Sequence, residues 1–163
     1  MQKGEKSLKG HLTLTNSDVM GFPYKSIWVA RVPTKAAFFA WEASWGKVLT
    51  LDSLQRRGFQ LPNRCFLCEC EEESVNHILI YCTVVVRALW DIVFGLVDVK
   101  WVSPGTVKEV LASWRGSWVG KKRKKIWDAI PLCIFWTGWK ERNRLAFRGG
   151  GFECSKVKEF FCL

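Results

Sequence analysis

Apolar residues recur along this chain at intervals of three and four, and no stretch alternates convincingly as a strand would. Ala37, Phe38, Trp41 and Trp45 predict a helix opening at Thr34, with Thr34 as its N-cap and these four residues on its apolar face. Ala36, Ala37, Ala40 and Ala43 favour the same state, and Gly46 is placed near its end. A short second helix, capped by Thr50 or Asp52 and stopped by Gly58, would turn Leu51 and Leu54 toward a core. After a turn at Pro62-Asn63, the acidic residues and hydroxyl of Glu71 to Ser74 suit the start of a helix that carries His77 and ends near Cys82. Val86, Leu89, Trp90, Val93 and Phe94 continue the helical period from Thr83 to Gly95, although Val84, Val85 and Val86 are poor helix formers.

Ser103-Pro104-Gly105 is a break, and Thr106-Val107-Lys108-Glu109 reads as a capping box for a helix reaching Trp114. Gly116 and Gly120 form a loop. The last long helix spans Lys124 to Phe147 and is apolar nearly all round at Ile126, Trp127, Ile130 and Ile134, so it should be largely buried. Pro131 either kinks it or starts its packed half. Gly149-Gly150-Gly151 is a flexible joint before an amphipathic stretch at Val157, Phe160 and Phe161.

The expected fold is mainly α: a small helical domain organised around a metal knuckle, with a C-terminal helical extension. It divides into a lead-in over residues 1–26, the domain over 27–96, the extension with a basic segment over 97–148, and a Gly linker with a truncated helix over 149–163. The chain has 163 residues, 48 % of them hydrophobic, which is enough for a buried core. Ten Trp and eleven Phe either fill that core or await a partner surface. No apolar run reaches the ~18 residues of a membrane span, and the first twenty residues carry Lys3, Lys6 and Lys9 without an apolar signal-peptide region. With seven Cys, an odd number, an intracellular reducing compartment and thiolate–metal chemistry fit better than a disulfide framework.

Cys65, Cys68, His77 and Cys82 read C-x2-C-x8-H-x4-C. Both halves have ligand spacing and together offer a closed set of four soft donors to one Zn²⁺. Zn²⁺ is preferred because iron–sulfur sites usually require four Cys. The bland alternative is four small buried residues that fall in register. Cys70, two residues after Cys68, is awkward for the same knuckle and is read as a neighbouring or free thiol; Cys133, Cys154 and Cys162 are scattered and have no assigned role. Cys–His catalysis at Cys82 and His77 would need an electropositive setting, whereas Glu69, Glu71, Glu72 and Glu73 surround them. No phosphate loop, nucleophile elbow or paired catalytic carboxylates occur, so the expectation is a non-catalytic module with no small-molecule substrate.

Charge is unevenly placed. The net charge is +10, and between Lys121 and Arg148 nine basic residues face only Asp128 and Glu141. Lys121, Lys122, Arg123, Lys124 and Lys125 resemble a nuclear localisation signal and would also bind phosphate; the alternative is a solvated loop face, since five cations disfavour a helix N-terminus. Arg142 and Arg144 follow Trp136 and Trp139 and join the candidates for contact with RNA or DNA, although a Trp pair at this spacing is more often core packing.

Several phrases together carry a family likeness. Val32-Pro33-Thr34-Lys35 leads to Phe38-Phe39-Ala40-Trp41, and Leu49-Thr50-Leu51-Asp52-Ser53-Leu54 to Arg56-Arg57-Gly58. Cys65 and Cys68 are followed by Glu73-Ser74-Val75-Asn76-His77-Ile78-Leu79, Cys82 and Leu89-Trp90; the tail reads Phe135-Trp136, Trp139-Lys140-Glu141-Arg142-Asn143-Arg144 and Phe147. This closely resembles the zinc-binding domain that follows the polymerase in plant LINE-type (non-LTR) retrotransposons and occurs in related stand-alone plant reading frames. The resemblance implies a zinc-binding, mostly helical module, with Cys65, Cys68, His77 and Cys82 as ligands, associated with RNA or DNA or with a retroelement ribonucleoprotein. It brings no enzymatic activity, and it implies a fragment, a degenerate copy or a small domesticated derivative. The rival expectations are a module that docks on a reverse transcriptase or a host protein, and a product without retained function.

Overall fold

The computed structural model describes residues 24–97, 102–114 and 120–148. The lead-in up to residue 23, Gly116, Cys154, Cys162 and the whole of 149–163 lie outside the described residues. In chain order the elements are α1 (Tyr24–Ile27), α2 (Thr34–Ser44), α3 (Leu51–Arg56), a π-helical turn (His77–Tyr81), α4 (Val86–Val97), α5 (Val107–Ser113) and α6 (Lys121–Arg148). Among the described residues there is no strand, so the mainly α expectation holds.

The N-cap of α2 lies one residue earlier than expected. Pro33 is the N-cap, its carbonyl accepting from the Ala36 and Ala37 amides, while Thr34 is the first helical residue and caps nothing. Both α2 and α3 end as the glycines require. Gly46 and Gly58 adopt φ of 63° and 92°, and each sits where the amides of two successive residues turn back onto the last carbonyls. Gly46 and Lys47 donate to Ala43 and Glu42; Gly58 and Phe59 donate to Gln55 and Leu54.

The expected inward face of α2 is corrected. Ala36, Ala37, Phe39, Ala40 and Ala43 are buried, whereas Phe38 and Trp45 are 51 % and 50 % exposed and Trp41 is half-buried. The small side chains let α2 lie close against α6, and Phe39 reaches into the seam. Its ring stacks on Trp139 at 5.4 Å and meets Trp136 edge-on at 5.8 Å. The Trp136–Trp139 pair is therefore packing, the more ordinary of its two readings.

α6 is the centre of the molecule and not an appendage. It packs on α2, the π turn and α4, and Leu132, Ile134 and Phe135 are completely buried in the same core as Ile78, Leu79, Leu89 and Leu111. It also starts earlier than predicted. Lys121 to Lys125 are helical, so the expected loop is wrong. Lys124 reaches one turn on to Asp128 at 2.8 Å, an i,i+4 pair that offsets part of the unfavourable charge at this end. Ile126 and Cys133 are exposed, which narrows the expected all-round burial to a stripe through Trp127, Pro131, Ile134 and Gly138.

Pro131 does not start α6; it lies inside a helix that continues on both sides of it. Proline cannot donate to the carbonyl four residues back, which belongs to Trp127. That carbonyl accepts instead from the Trp114 indole Nε1 at 2.8 Å, while the two rings stack at 4.4 Å. At Gly138 the helix approaches its neighbours so closely that a Cβ would lie 2.8 Å from Val86 Cγ2 and 3.2 Å from the Ile78 carbonyl. The capping box of α5 is present in modified form: Thr106 Oγ1 accepts from the Glu109 amide, and the Glu109 carboxylate accepts from Gly105, one residue before the usual partner.

Candidate metal centre

The knuckle is built by backbone bonds that fold the 65–73 segment on itself. The Glu69 amide donates to the Cys65 carbonyl at 2.9 Å, and the Cys65 amide to the Glu71 carbonyl at 2.8 Å. Glu69 takes φ 55° to close this turn, a left-handed conformation normally left to glycine. The Leu67 amide points at Cys65 Sγ, 3.4 Å away. These bonds aim the first two sulfurs to one side.

The other two donors come from a local departure from the α-helix. Ser74 opens the segment, its hydroxyl accepting from the His77 amide at 3.1 Å. From His77 onward the chain widens into the π turn, closed by the Cys82 amide donating to the His77 carbonyl at 2.7 Å. In an α-helix two residues five apart point ~140° away from each other, at ~100° per residue. The wider i→i+5 turn reduces that divergence. The H-x4-C spacing is thus matched to a π turn, where apolar periodicity alone predicts an ordinary helix.

Cys65 Sγ, Cys68 Sγ, a His77 ring nitrogen and Cys82 Sγ all lie within 4.8 Å of one another. A Zn²⁺ tetrahedron with the usual bond lengths has edges of ~3.5–3.8 Å, so the four donors need only draw in slightly. Cys68 Sγ is already 3.3 Å from His77 Nε2. The opposite nitrogen, Nδ1, faces the Glu71 carboxylate at 3.2 Å, which holds the ring with Nε2 turned to the sulfurs. This orienting role of Glu71 is not legible in the sequence, where the residue reads only as negative charge near a helix start. The donors otherwise share protons among themselves. The Cys65 thiol is pushed up to about 12 by its bond to Cys82 and then by burial, and the same bond draws Cys82 below the ordinary thiol value. His77 rises to about 9, chiefly through its bond to Cys65. A divalent cation displaces such protons, so metal binding here releases them.

Three thiolates and one imidazole fill a tetrahedron, which suits a structural ion. Cys65, Cys82 and His77 are buried; Cys70 is exposed and stands outside the cluster. The segment just after the knuckle is tied to α6 by an ion pair across 69 residues. Glu73, fully buried, receives Arg142 Nη2 at 2.6 Å and Nε at 3.1 Å, and its Oε1 also accepts from the Leu51 amide at 3.0 Å. The guanidinium lies 5.0 Å from the ring centroid of Phe66, inside the C-x2-C turn, and 5.2 Å from that of Trp139.

The candidate phosphate-binding residues are dispersed by this arrangement. Arg142 is 5 % exposed and spent on Glu73, which removes it from the surface available to a nucleic acid. Its signal was legible: it continues the buried stripe of α6 four residues after Gly138. Arg144 is half-buried and bonds Glu141 at 2.7 Å. Arg123, Lys124 and Lys125 are exposed on the first turns of α6; the side chains of Lys121 and Lys122 lie outside the described residues.

No curated protein and no solved structure was found to match the chain. Residues 10–90, which hold the whole Cys65–Cys82 cluster, match the family described as zinc-binding in reverse transcriptase. The donor set, its burial and its close spacing are those of a Zn²⁺ site, and residues 10–90 of the chain are a zinc-binding domain of that reverse-transcriptase family.

Proposed function

We propose that this chain is a non-catalytic, zinc-clamped module of retroelement origin that contacts RNA or DNA through the basic first turns of α6. One observation carries the reading: three of the four zinc donors are buried, in a segment joined to the core through Glu73 and Arg142, while Arg123, Lys124 and Lys125 remain on the surface at the opposite end of α6. Zinc then holds the shape that presents the charge, and does no chemistry. No helix among the described residues is long and apolar enough to cross a membrane. We place the protein inside the cell, with Lys121 to Lys125 as a nuclear address.

Native mass spectrometry before and after a chelator, with a single-stranded RNA titration over salt, tests this reading. One bound zinc and a log–log salt slope of about −0.7 per phosphate contact are expected, the slope flattening when Lys121 to Lys125 are neutralised. Binding that ignores both salt and that substitution overturns it. A second reading, docking on a reverse transcriptase or a host protein, draws on the exposed aromatic rings of Trp28, Phe38 and Trp45.

A further inference from the structure

We infer that the outer face of α2 is a stacking platform for single-stranded nucleic acid, a contact that rests on nucleic acid being the partner but not on α6 being its site. Phe38, Trp41 and Trp45 follow one another at three and four residues and lie on one side of α2, opposite the buried alanines. This inverts the ordinary arrangement, in which large rings go inside and small side chains outside. The rings are also ordered. Trp28 meets Phe38 edge-on at 5.1 Å and 87°, and the Lys108 ammonium stands 5.7 Å from the Trp45 ring centroid.

The surrounding charge selects the occupant. Lys25, Arg31, Lys35 and Lys47 are exposed along residues 24–49, where Glu42 is the sole acidic side chain. A mixed apolar protein surface gains nothing from this excess of cations, whereas a polyanion with flat aromatic bases uses both features. The strand would lay its bases along the rings and its phosphates along Lys47 and Lys108.

The test uses the full zinc-loaded chain with two probes, a single-stranded oligouridylate and an abasic oligomer of the same length. Trp45→Ala and Phe38→Ala should each weaken oligouridylate binding roughly 5- to 150-fold and leave abasic binding unchanged; Trp45→Phe should retain most of the affinity. Zinc stoichiometry and helicity, measured in parallel, should match wild type because both side chains are half exposed. Neutralising Arg123, Lys124 and Lys125 should weaken both probes alike. Wild-type binding by both alanine variants overturns the platform and leaves the α6 reading standing. Equal losses for both probes also overturn it, since stacking cannot act on an abasic strand. Losses confined to the α2 variants, with no effect at α6, support the platform and overturn the α6 reading. No binding of either probe at low salt overturns both and leaves the face to a protein partner.

Discussion

Arg142→Met removes one half of the ion pair that joins the knuckle segment to α6. Glu73 has no exposed surface, and in the variant its carboxylate keeps only the Leu51 amide at 3.0 Å. Removing one partner of such a pair costs about 3–5 kcal/mol, because the other charge stays buried and uncompensated. The surviving bond to Leu51 is to a charged acceptor and retains part of the solvation, which places the expected loss near ~3 kcal/mol. Against a total stability of about 5–15 kcal/mol, that is a fifth or more of the fold. Urea unfolding at a fixed free zinc concentration should show a midpoint lowered by roughly 1–3 M. Arg142→Lys should recover only part, since one ammonium does not reproduce a forked contact with both Glu73 oxygens. The double variant Glu73→Gln, Arg142→Met should be more stable than Arg142→Met alone, because the amide introduced at that position carries no charge and still accepts from Leu51. An Arg142→Met protein within about 0.5 kcal/mol of wild type, or a double variant equal to the sum of its singles, refutes the reasoning.

Other expectations follow from single contacts. Gly138→Ala places a methyl against Val86 and the Ile78 carbonyl and should cost about 1–3 kcal/mol, seen as a lower thermal midpoint; an unchanged midpoint would show that α6 can move away. Trp114→Phe strips the Trp127 carbonyl of its donor and should cost about 1–3 kcal/mol, with Pro131→Ala restoring part of the loss in that background by returning a backbone donor. Absence of that rescue would mean the indole acts by packing alone. Glu71→Ala should weaken zinc by about tenfold in a chelator competition, the low end of such effects because this carboxylate is two-thirds exposed. Glu69→Gly relieves a left-handed turn and should stabilise the folded protein by up to about 1 kcal/mol in the same unfolding assay.

The Cys3His cluster was legible because metal spacing is a local signal. Cys65, Cys68, His77 and Cys82 lie within one short segment, and thiolate and imidazole are the donors zinc prefers. Gly46 and Gly58 were legible for a similar reason: a helix that ends in a left-handed residue selects glycine whatever surrounds it. The orientation of α2 was not legible. Its period allowed either the alanine side or the aromatic side to face inward, and only the closeness of α6 decides for the small residues. The charge of Arg142 points to the surface, when its place in the buried stripe of α6 is the better guide.

By itself, the chain determined that it would be helical, that it would break at its glycines, and that four donor side chains would cluster. Each of these depends on residues a few positions apart, whose geometry the backbone already constrains. Only the tertiary structure decided that His77 and Cys82 share a π turn, that Pro131 survives inside α6, and that Glu73 finds Arg142 across 69 residues. Those outcomes require a distant group to satisfy a carbonyl, a buried charge or a close helix contact. No local pattern names that partner, because the folded core is what brings it within reach.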